Sequence, residues 1–248
     1  MRILVLNPNT TAAVTGKLMQ AAAAVARPDT ELVPMTAARG VPYISSRADA
    51  AIGGAIALEM LAETHTQVDA AIIAAFGDPG LGGARELFDI PVVGMAEAAM
   101  LSACMLGRSF AIVTFAGGLV PWYNECLDWN GLRGRCAGIF ALQGAFTSLA
   151  DVQHEKEAAL ITLANRVVDE HGADVVILAG APLSGLAATI RDRVSVPLVD
   201  GIQAAVTQAE GLVALNPRKA TAGTFARPPA KPALGIAAPL ATRLARQD

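Results

Sequence analysis

The stretch DAAIIAAFGDPG, residues 69–80, decides the fold class because a second copy of it follows along the chain. The second copy is DVVILAGAPLSG, residues 174–185, and its aspartate lies 105 residues after Asp69. Each copy joins an acidic residue and a short apolar run to a turn of small residues and proline. Apolar runs without alternation are typical of parallel strands that are covered on both faces. We therefore interpret the chain as two copies of one unit, an arrangement that usually places a ligand between the copies.

The flanking sequence repeats in the same way. IPVV (90–93) and VPLV (196–199) follow the two copies, and ILVL (3–6) and FAIV (110–113) precede them. Strands are predicted at 2–6, 31–36, 70–75, 91–94, 110–114, 137–142, 175–179 and 196–199. Helices are predicted over about 11–25, 48–66, 80–88, 97–106, 119–129, 151–171, from 184, and over 201–215. Strands that alternate with helices predict an α/β fold of two pseudo-symmetric lobes, each a parallel four-stranded sheet flanked by helices.

The predicted first lobe takes residues 1–100 together with a returning helix at 201–215, and the second lobe takes 101–200. Residues 216–248 are rich in proline. We interpret them as a C-terminal extension that wraps the body or a neighbouring subunit, with disorder as the alternative.

The composition narrows the range of partners. The chain has 248 residues, of which 53% are hydrophobic, 17% charged and 4% aromatic, and its net charge is −3. The absence of a basic run argues against nucleic acid and membrane partners, and few aromatics argue against base stacking. The number of cysteines is odd, and the sequence shows no signal peptide and no long apolar run. These features favour a cytoplasmic protein with reduced thiols. The partner expected is a small-molecule substrate, and Ala-rich helices favour a homo-oligomer, a dimer or tetramer.

Several common motifs are not completed by this sequence. In GLGGAR (80–85) the third glycine of a dinucleotide fingerprint is replaced by Arg85, and Gly16-Lys17 has no P-loop context. The three histidines lack the spacing of metal ligands. Ser184 lies outside a GxSxG motif and has no identifiable histidine partner. The sequence therefore predicts neither a cofactor nor a metal.

The turns that follow the predicted strands are the candidate binding site, because ligands of parallel sheets bind outside the carboxyl ends of strands. These turns are rich in small residues, and their free N–H groups suit a carboxylate or an imide oxygen. Any one turn is equally well explained as a tight turn or a helix cap, but four at duplicated positions favour a site. The candidate substrate-binding residues are Asn9, Thr10, Phe76, Thr114, Phe115, Gly180, Ala181 and Pro182.

At these residues the sequence resembles the aspartate/glutamate racemase superfamily, and most closely its hydantoin and allantoin racemase branch. The matching pieces are LNPNTT (6–11), FGDPGL (76–81) with ARE (84–86), GMAEAA (94–99), FAIVT (110–114) and VPLVDG (196–201). They cover about residues 2–215 in order. The resemblance implies two pseudo-symmetric lobes with the active site in the cleft between them, and neither cofactor nor metal.

The resemblance also implies a pair of catalytic cysteines, one from each lobe, that exchange a proton on opposite faces of an acidic carbon. The first would fall at Ala75, and the second at Gly180, or at Ala181 if the register slips by one. The repeat independently pairs Ala75 with Gly180. Members with one cysteine resemble the arylmalonate decarboxylase branch, but this chain lacks both.

The sequence leaves three hypotheses open. The first is a hydantoin racemase-like isomerase, acting through other groups on a small cyclic amide, imide or carboxylate. The second is a decarboxylase, lyase or hydrolase that uses the same oxyanion-binding cleft, and the third is a non-catalytic binder of small molecules. Candidate acid–base residues are Asp78, Glu97, Tyr43 and His154. Asp78 is also expected to cap the helix near Gly80, and Glu97 to cap or brace its own helix.

Overall fold

The computed structural model describes residues 1–144, 148–149 and 151–248 and contains two parallel four-stranded sheets. The first sheet has the order β2-β1-β3-β4, and its strands are β1 Arg2–Asn7, β2 Glu31–Thr36, β3 Ala70–Ile73 and β4 Val92–Gly94. The second sheet repeats that order as β6-β5-β7-β8, with strands β5 Phe110–Thr114, β6 Cys136–Ala141, β7 Val175–Ala179 and β8 Leu198–Asp200. The predicted fold class is confirmed.

The duplicated stretch forms the equivalent inner strand of each sheet. Ala70 of β3 lies opposite Ile3 of β1, and Val175 of β7 lies opposite Phe110 of β5. β3 and β7 are buried at every position, because helices cover both faces of each sheet. The two turns after these strands therefore leave their sheets at corresponding places.

Nine helices are present in the described part of the chain. They are α1 Ala12–Ala23, α2 Arg47–Thr64, α3 Leu81–Leu87, α4 Met95–Leu106, α5 Val120–Trp129, α6 Val152–His171, α7 Leu186–Ile190, α8 Gly201–Leu215 and α9 Ala238–Leu244. The N-cap of α1 is Thr11. The Asn9 side-chain oxygen accepts a hydrogen bond from the Thr11 amide at 3.0 Å and so fixes the turn before the helix.

Two helices exchange sheets. α4 follows β4 of the first sheet, but Ala99 and Ala103 of α4 pack with Phe110 and Val175 of the second sheet. α8 follows the second sheet, yet it packs on the first through Ile202, Ala205, Val206 and Ala209. The exchange ties the two lobes together through buried apolar contacts, which stabilise in proportion to the area removed from water.

The C-terminal segment packs against the first lobe. Residues 216–237 have no regular structure, and α9 follows them. Leu240 of α9 joins the apolar core of α2 and α3. Arg243, whose side chain is 5% exposed, donates to the Leu87 carbonyl and pairs with Asp89 and Asp248. A charged side chain this deeply buried is stabilised only while these partners are in place.

No helix in the described ranges is long and apolar enough to cross a bilayer.

The exposed face of α4 carries a test of the expected oligomer. Met105 is 79% exposed beside Leu101 and Leu106, so this face is apolar near its C-terminus. We expect light scattering at micromolar concentration to give a dimer or tetramer, and Met105→Glu to lower that mass because it places a charge on the face. Leu234→Glu is the matched control, since Leu234 is also exposed but lies in the C-terminal segment. A monomeric wild-type chain would contradict the expectation.

Candidate active site

One pocket is lined by both lobes, and we call it the central pocket. Its cavity volume is about 20 Å³, and its lining residues are Asn9, Tyr43, Ile44, Ala75, Phe76, Tyr123, Gly180 and Ala181. They come from the turn after β1, the loop before α2, the turn after β3, helix α5 and the turn after β7. The two positions that the sequence repeat pairs, Ala75 and Gly180, therefore line the same pocket.

The turn after β3 is held by the carboxylate of Asp78. Its oxygens accept hydrogen bonds from the amides of Ala96 and Glu97, both at 2.8 Å, in the first turn of α4. Asp78 thus caps α4 rather than the helix near Gly80 that the sequence suggested, because the start of α4 lies directly beside the turn. A Cβ on Gly94 would lie 2.4 Å from Asp78 Cγ, so only glycine permits this close approach.

The surroundings of Asp78 also change the proton affinity of its carboxyl group. Burial raises the pKa of Asp78 to about 7, although the two amide donors and Arg85 oppose the rise. Glu97 adds to the rise by repulsion but is itself paired with Arg85. The charge of Asp78 also contributes to raising the pKa of Tyr123, a lining residue of the central pocket. A carboxyl group that titrates near neutral pH can both take up and release a proton there.

This raised pKa predicts a pH-dependent stability. The pKa of Asp78 is 3.8 when unperturbed and about 7 in the folded chain, so the folded state binds more protons between these values. The free energy of unfolding should therefore fall, through this group, as the pH rises from about 4 to about 7. Asp78→Asn removes that contribution, so the stability of the variant relative to wild type should improve across the same window. Urea unfolding of both proteins as a function of pH measures the difference, and a constant difference would contradict the raised pKa.

The turn after β7 is also held by a carboxylate, but this one belongs to the helix and not to the turn. Asp200, the N-cap of α8, accepts hydrogen bonds from the amides of Ile202 and Gln203 and also from the amide of Gly185. Burial raises the pKa of Asp200 as well. In each lobe one carboxylate therefore joins the turn after the inner strand to the N-terminus of the exchanged helix. The carboxylate belongs to the turn in the first lobe and to the helix in the second.

Two tyrosine side chains line the central pocket. Burial raises the pKa of Tyr43 above its usual range, and burial and the nearby Tyr43 raise that of Tyr123. Both hydroxyls therefore stay protonated and act as donors rather than bases. The Tyr43 ring lies 6.1 Å from that of Phe115, on the side of the second lobe. Its loop is tied to the turn after β1, because the Thr11 hydroxyl donates to the Pro42 carbonyl at 2.6 Å.

The structure brings together only some of the residues that the sequence singled out. Asn9, Tyr43, Ala75, Phe76, Gly180 and Ala181 line the central pocket. Thr10, Phe115 and Pro182 do not, and Thr114 is fully buried, with its hydroxyl donating to the Ala179 carbonyl at 3.0 Å. Glu97 lies at the start of α4 in its pair with Arg85, and His154 is exposed in the first turn of α6.

Sequence reasoning missed two lining residues, Ile44 and Tyr123. Tyr123 lies on the buried face of α5, where an aromatic residue is first explained as core. A signal was available, however. The chain has only two tyrosines, and both line the central pocket.

A second opening, which we call the front groove, lies on the other side of the Asp78 turn. It encloses about 370 Å³ lined by residues that include Gly77, Asp78, Trp122 and Cys126. The Cys126 thiol is near the Gly77 carbonyl, with the sulfur 3.4 Å from its oxygen, and burial raises its pKa to about 12. Such a thiol is almost entirely protonated at neutral pH and is a poor nucleophile. Within the described ranges no cluster of three or more potential ligands could hold a metal ion.

These features define a class of protein, a two-lobed α/β fold with a small pocket between turns that follow equivalent strands. The family is more specific. The model of the family described as Asp/Glu/Hydantoin racemase matches residues 3–209, and the chain belongs to that family. The assignment suggested by the sequence pieces is confirmed.

Individual relatives agree with this membership. The chain is 33% identical to the hydantoin racemase of Paenarthrobacter aurescens, over 93% of this chain and 99% of that protein. It is similar in structure to the allantoin racemase from Klebsiella pneumoniae, with a TM-score of 0.89, 36% identity, and coverage of 95% and 96% of the two chains. The allantoin racemase from Pseudomonas fluorescens gives a TM-score of 0.86 and 36% identity, covering 95% of this chain and all of that one. These relatives support the expected enzyme class, a cofactor-independent racemase or isomerase.

Proposed function

We propose that this chain is a hydantoin racemase-like isomerase that moves a proton on a small cyclic amide or imide in the central pocket, without the usual pair of cysteines. The observation that carries the proposal is the meeting of Ala75 with Gly180 and Ala181 in one pocket. The relatives whose names specify hydantoin or allantoin racemases support the substrate class.

The reaction requires a base for an acidic carbon and donors for the oxygen that becomes negative. Asn9 lines the pocket, and its side-chain nitrogen Nδ2 has no hydrogen-bond partner among the described residues, so it is available to a substrate oxygen. The Tyr43 hydroxyl is a second donor, since its raised pKa keeps it protonated. Donors fixed in a site with little water stabilise an enolate more strongly than water does.

Asp78 is the acid–base group that we assign to the first lobe; it lines the front groove, two residues after Phe76 of the central pocket. Its pKa of about 7 gives both protonation states at neutral pH. Ala75, in the same turn, contributes a small side chain to the central pocket. On the opposite side, Tyr43 returns a proton less readily than a thiol because its pKa is raised. We therefore expect exchange with retention to be faster than inversion.

Deuterium uptake from heavy water tests the proposal. Substituted hydantoins, allantoin, amino acids and malonates are incubated with the protein, and loss of the signal of the acidic hydrogen is followed by proton NMR. Optical rotation measures inversion in the same samples. Exchange in a cyclic amide supports the isomerase. Release of carbon dioxide from a malonate would instead indicate a decarboxylase, and ring opening without exchange a hydrolase. Binding without turnover would indicate a non-catalytic binder.

A further inference from the structure

A second pocket, which we call the side pocket, lies behind the turn that follows β7. It encloses about 230 Å³, and the residues that carry its chemistry are Lys17, Gln20, Gln153, Ser184, Thr189 and Gln203. They belong to α1, to the start of α6, to α7 and the turn before it, and to α8. The same turn presents Gly180 and Ala181 to the central pocket and Ser184 to the side pocket. The two pockets are therefore separate.

The charge of the side pocket is positive. Lys17 is its only charged lining residue, and it has no ion-pair partner within residues 1–144, 148–149 and 151–248. The Asp200 carboxylate contacts the lining at Gly185, but it is already bonded to the Gly185 amide and to the start of α8. An unpaired ammonium in a recess suits an anion. An organic carboxylate is the simplest anion whose molecule can also carry other polar groups.

The two glutamine side chains have fixed orientations. The Gln153 amide nitrogen donates to the carbonyls of Pro182 and Ser184, both at 2.8 Å. The Gln203 amide nitrogen donates to the Ala21 carbonyl at 3.3 Å. Backbone carbonyls only accept, so neither amide can be flipped. Both Oε1 atoms are left as acceptors without a donor in the described part of the chain, and they suit N–H groups of a ligand.

Ser184 gives an independent indication that the pocket has an occupant. The residue is 5% exposed, and its hydroxyl oxygen has no hydrogen-bond partner among the described residues. Buried hydroxyls without partners are uncommon, because leaving one unsatisfied is costly. A hydroxyl can donate and accept, so it can serve either a carboxylate or an N–H group.

We propose that the side pocket binds a small carboxylate that also carries neutral amide or urea N–H groups. Lys17 holds the carboxylate, and the oxygens of Gln153 and Gln203 accept from the N–H groups. Neutral N–H groups fit better than an ammonium, since the lining contains one cation and no acidic side chain. The site is distinct from the proposed active site and does not depend on its chemistry.

N-carbamoylglycine is a suitable probe, with acetate and urea as partial mimics, and binding is measured by calorimetry on the full chain. We expect saturable binding of N-carbamoylglycine, weaker binding of acetate, and a Kd that rises about tenfold or more in Lys17→Met. Lys231→Met is the matched control, because Lys231 is exposed in the C-terminal segment, and it should leave the Kd unchanged.

The Ser184→Ala variant adds a test that distinguishes a loss of binding from a loss of folding. The unliganded variant should melt no lower than wild type, because it loses an unpartnered hydroxyl. Its Kd for N-carbamoylglycine should rise several-fold. The proposal is overturned if N-carbamoylglycine does not bind, if acetate binds equally well, or if Lys17→Met and Ser184→Ala both bind it as wild type does.

Discussion

Replacing Asp78 with asparagine is expected to lower the rate of proton exchange by about 10²–10⁴-fold, the usual contribution of a positioned general acid–base group. An amide cannot remove a proton, whereas the carboxyl group of Asp78 titrates near pH 7. The fold should survive, because the asparagine oxygen can still accept a hydrogen bond from Ala96 or Glu97 at the start of α4. Exchange into a hydantoin, followed by proton NMR, gives the rate.

Glu97→Gln is the matched control for this substitution. It makes the same change of carboxylate to amide close to the same turn, but the Glu97 carboxylate is held in an ion pair with Arg85. We expect its exchange rate to stay within a few-fold of wild type, since it removes a structural pair and no proton donor. The wild-type rate should rise as the pH increases through about 7, as Asp78 ionises. A folded Asp78→Asn protein with unchanged exchange would remove Asp78 from the mechanism.

The architecture was predictable because the repeat is visible in single elements. β5, β7 and α8 begin and end at the predicted residues, 110–114, 175–179 and 201–215. Strands buried on both faces appear as continuous apolar runs, and such runs are easily recognised. The sequence also predicted that Ala75 and Gly180 occupy matching positions, since the turns after equivalent strands leave a parallel sheet at the same edge.

The structural features that the sequence did not predict depend on contacts between residues that are far apart in the sequence. The crossing of α4 to the second sheet was not predicted, because its alanine-rich surface suits either sheet. The cap from Asp78 to α4 spans 18 residues and has no local signal. α9 lies in a segment rich in proline, but Pro239 stands in its first turn, where the missing N–H costs little. Tyr43 lines the central pocket because tertiary contacts set the path of its loop. The sequence of the loop does not show that path.

Cysteines placed at Ala75 and Ala181 are expected to give the chain a thiol-dependent racemase activity. Both side chains line the central pocket, from turns of different lobes. A thiol of suitable pKa can give and take a proton near neutral pH, so two thiols supply an acid and a base on opposite faces of a carbon. Either single substitution should give much less inversion, because one face then lacks an efficient donor. Optical rotation of a hydantoin or of allantoin measures the gain.

The structure favours Ala181 over Gly180 for the second thiol. Gly180 has φ of 116°, a region that residues with a side chain rarely adopt, and an added Cβ would lie 2.9 Å from Phe115 Cε1. Gly180→Cys should therefore cost about 1–3 kcal/mol of stability. Ala181 already carries a Cβ, so Ala181→Cys adds only a sulfur atom. Thermal melting of the two single variants checks this difference before activity is compared.

Iodoacetamide separates the introduced chemistry from that of the unmodified chain. It should abolish the gain in the double variant but leave wild-type exchange intact, because no native cysteine lines the central pocket and burial raises the pKa of Cys126 to about 12. Serine at the same two positions is the control for size, since a hydroxyl is far too weak an acid to replace a thiol. Loss of wild-type activity on alkylation would show that a native cysteine is catalytic. A folded double variant that stays inert on every cyclic amide would show that this pocket has been rebuilt for chemistry other than proton transfer between two faces.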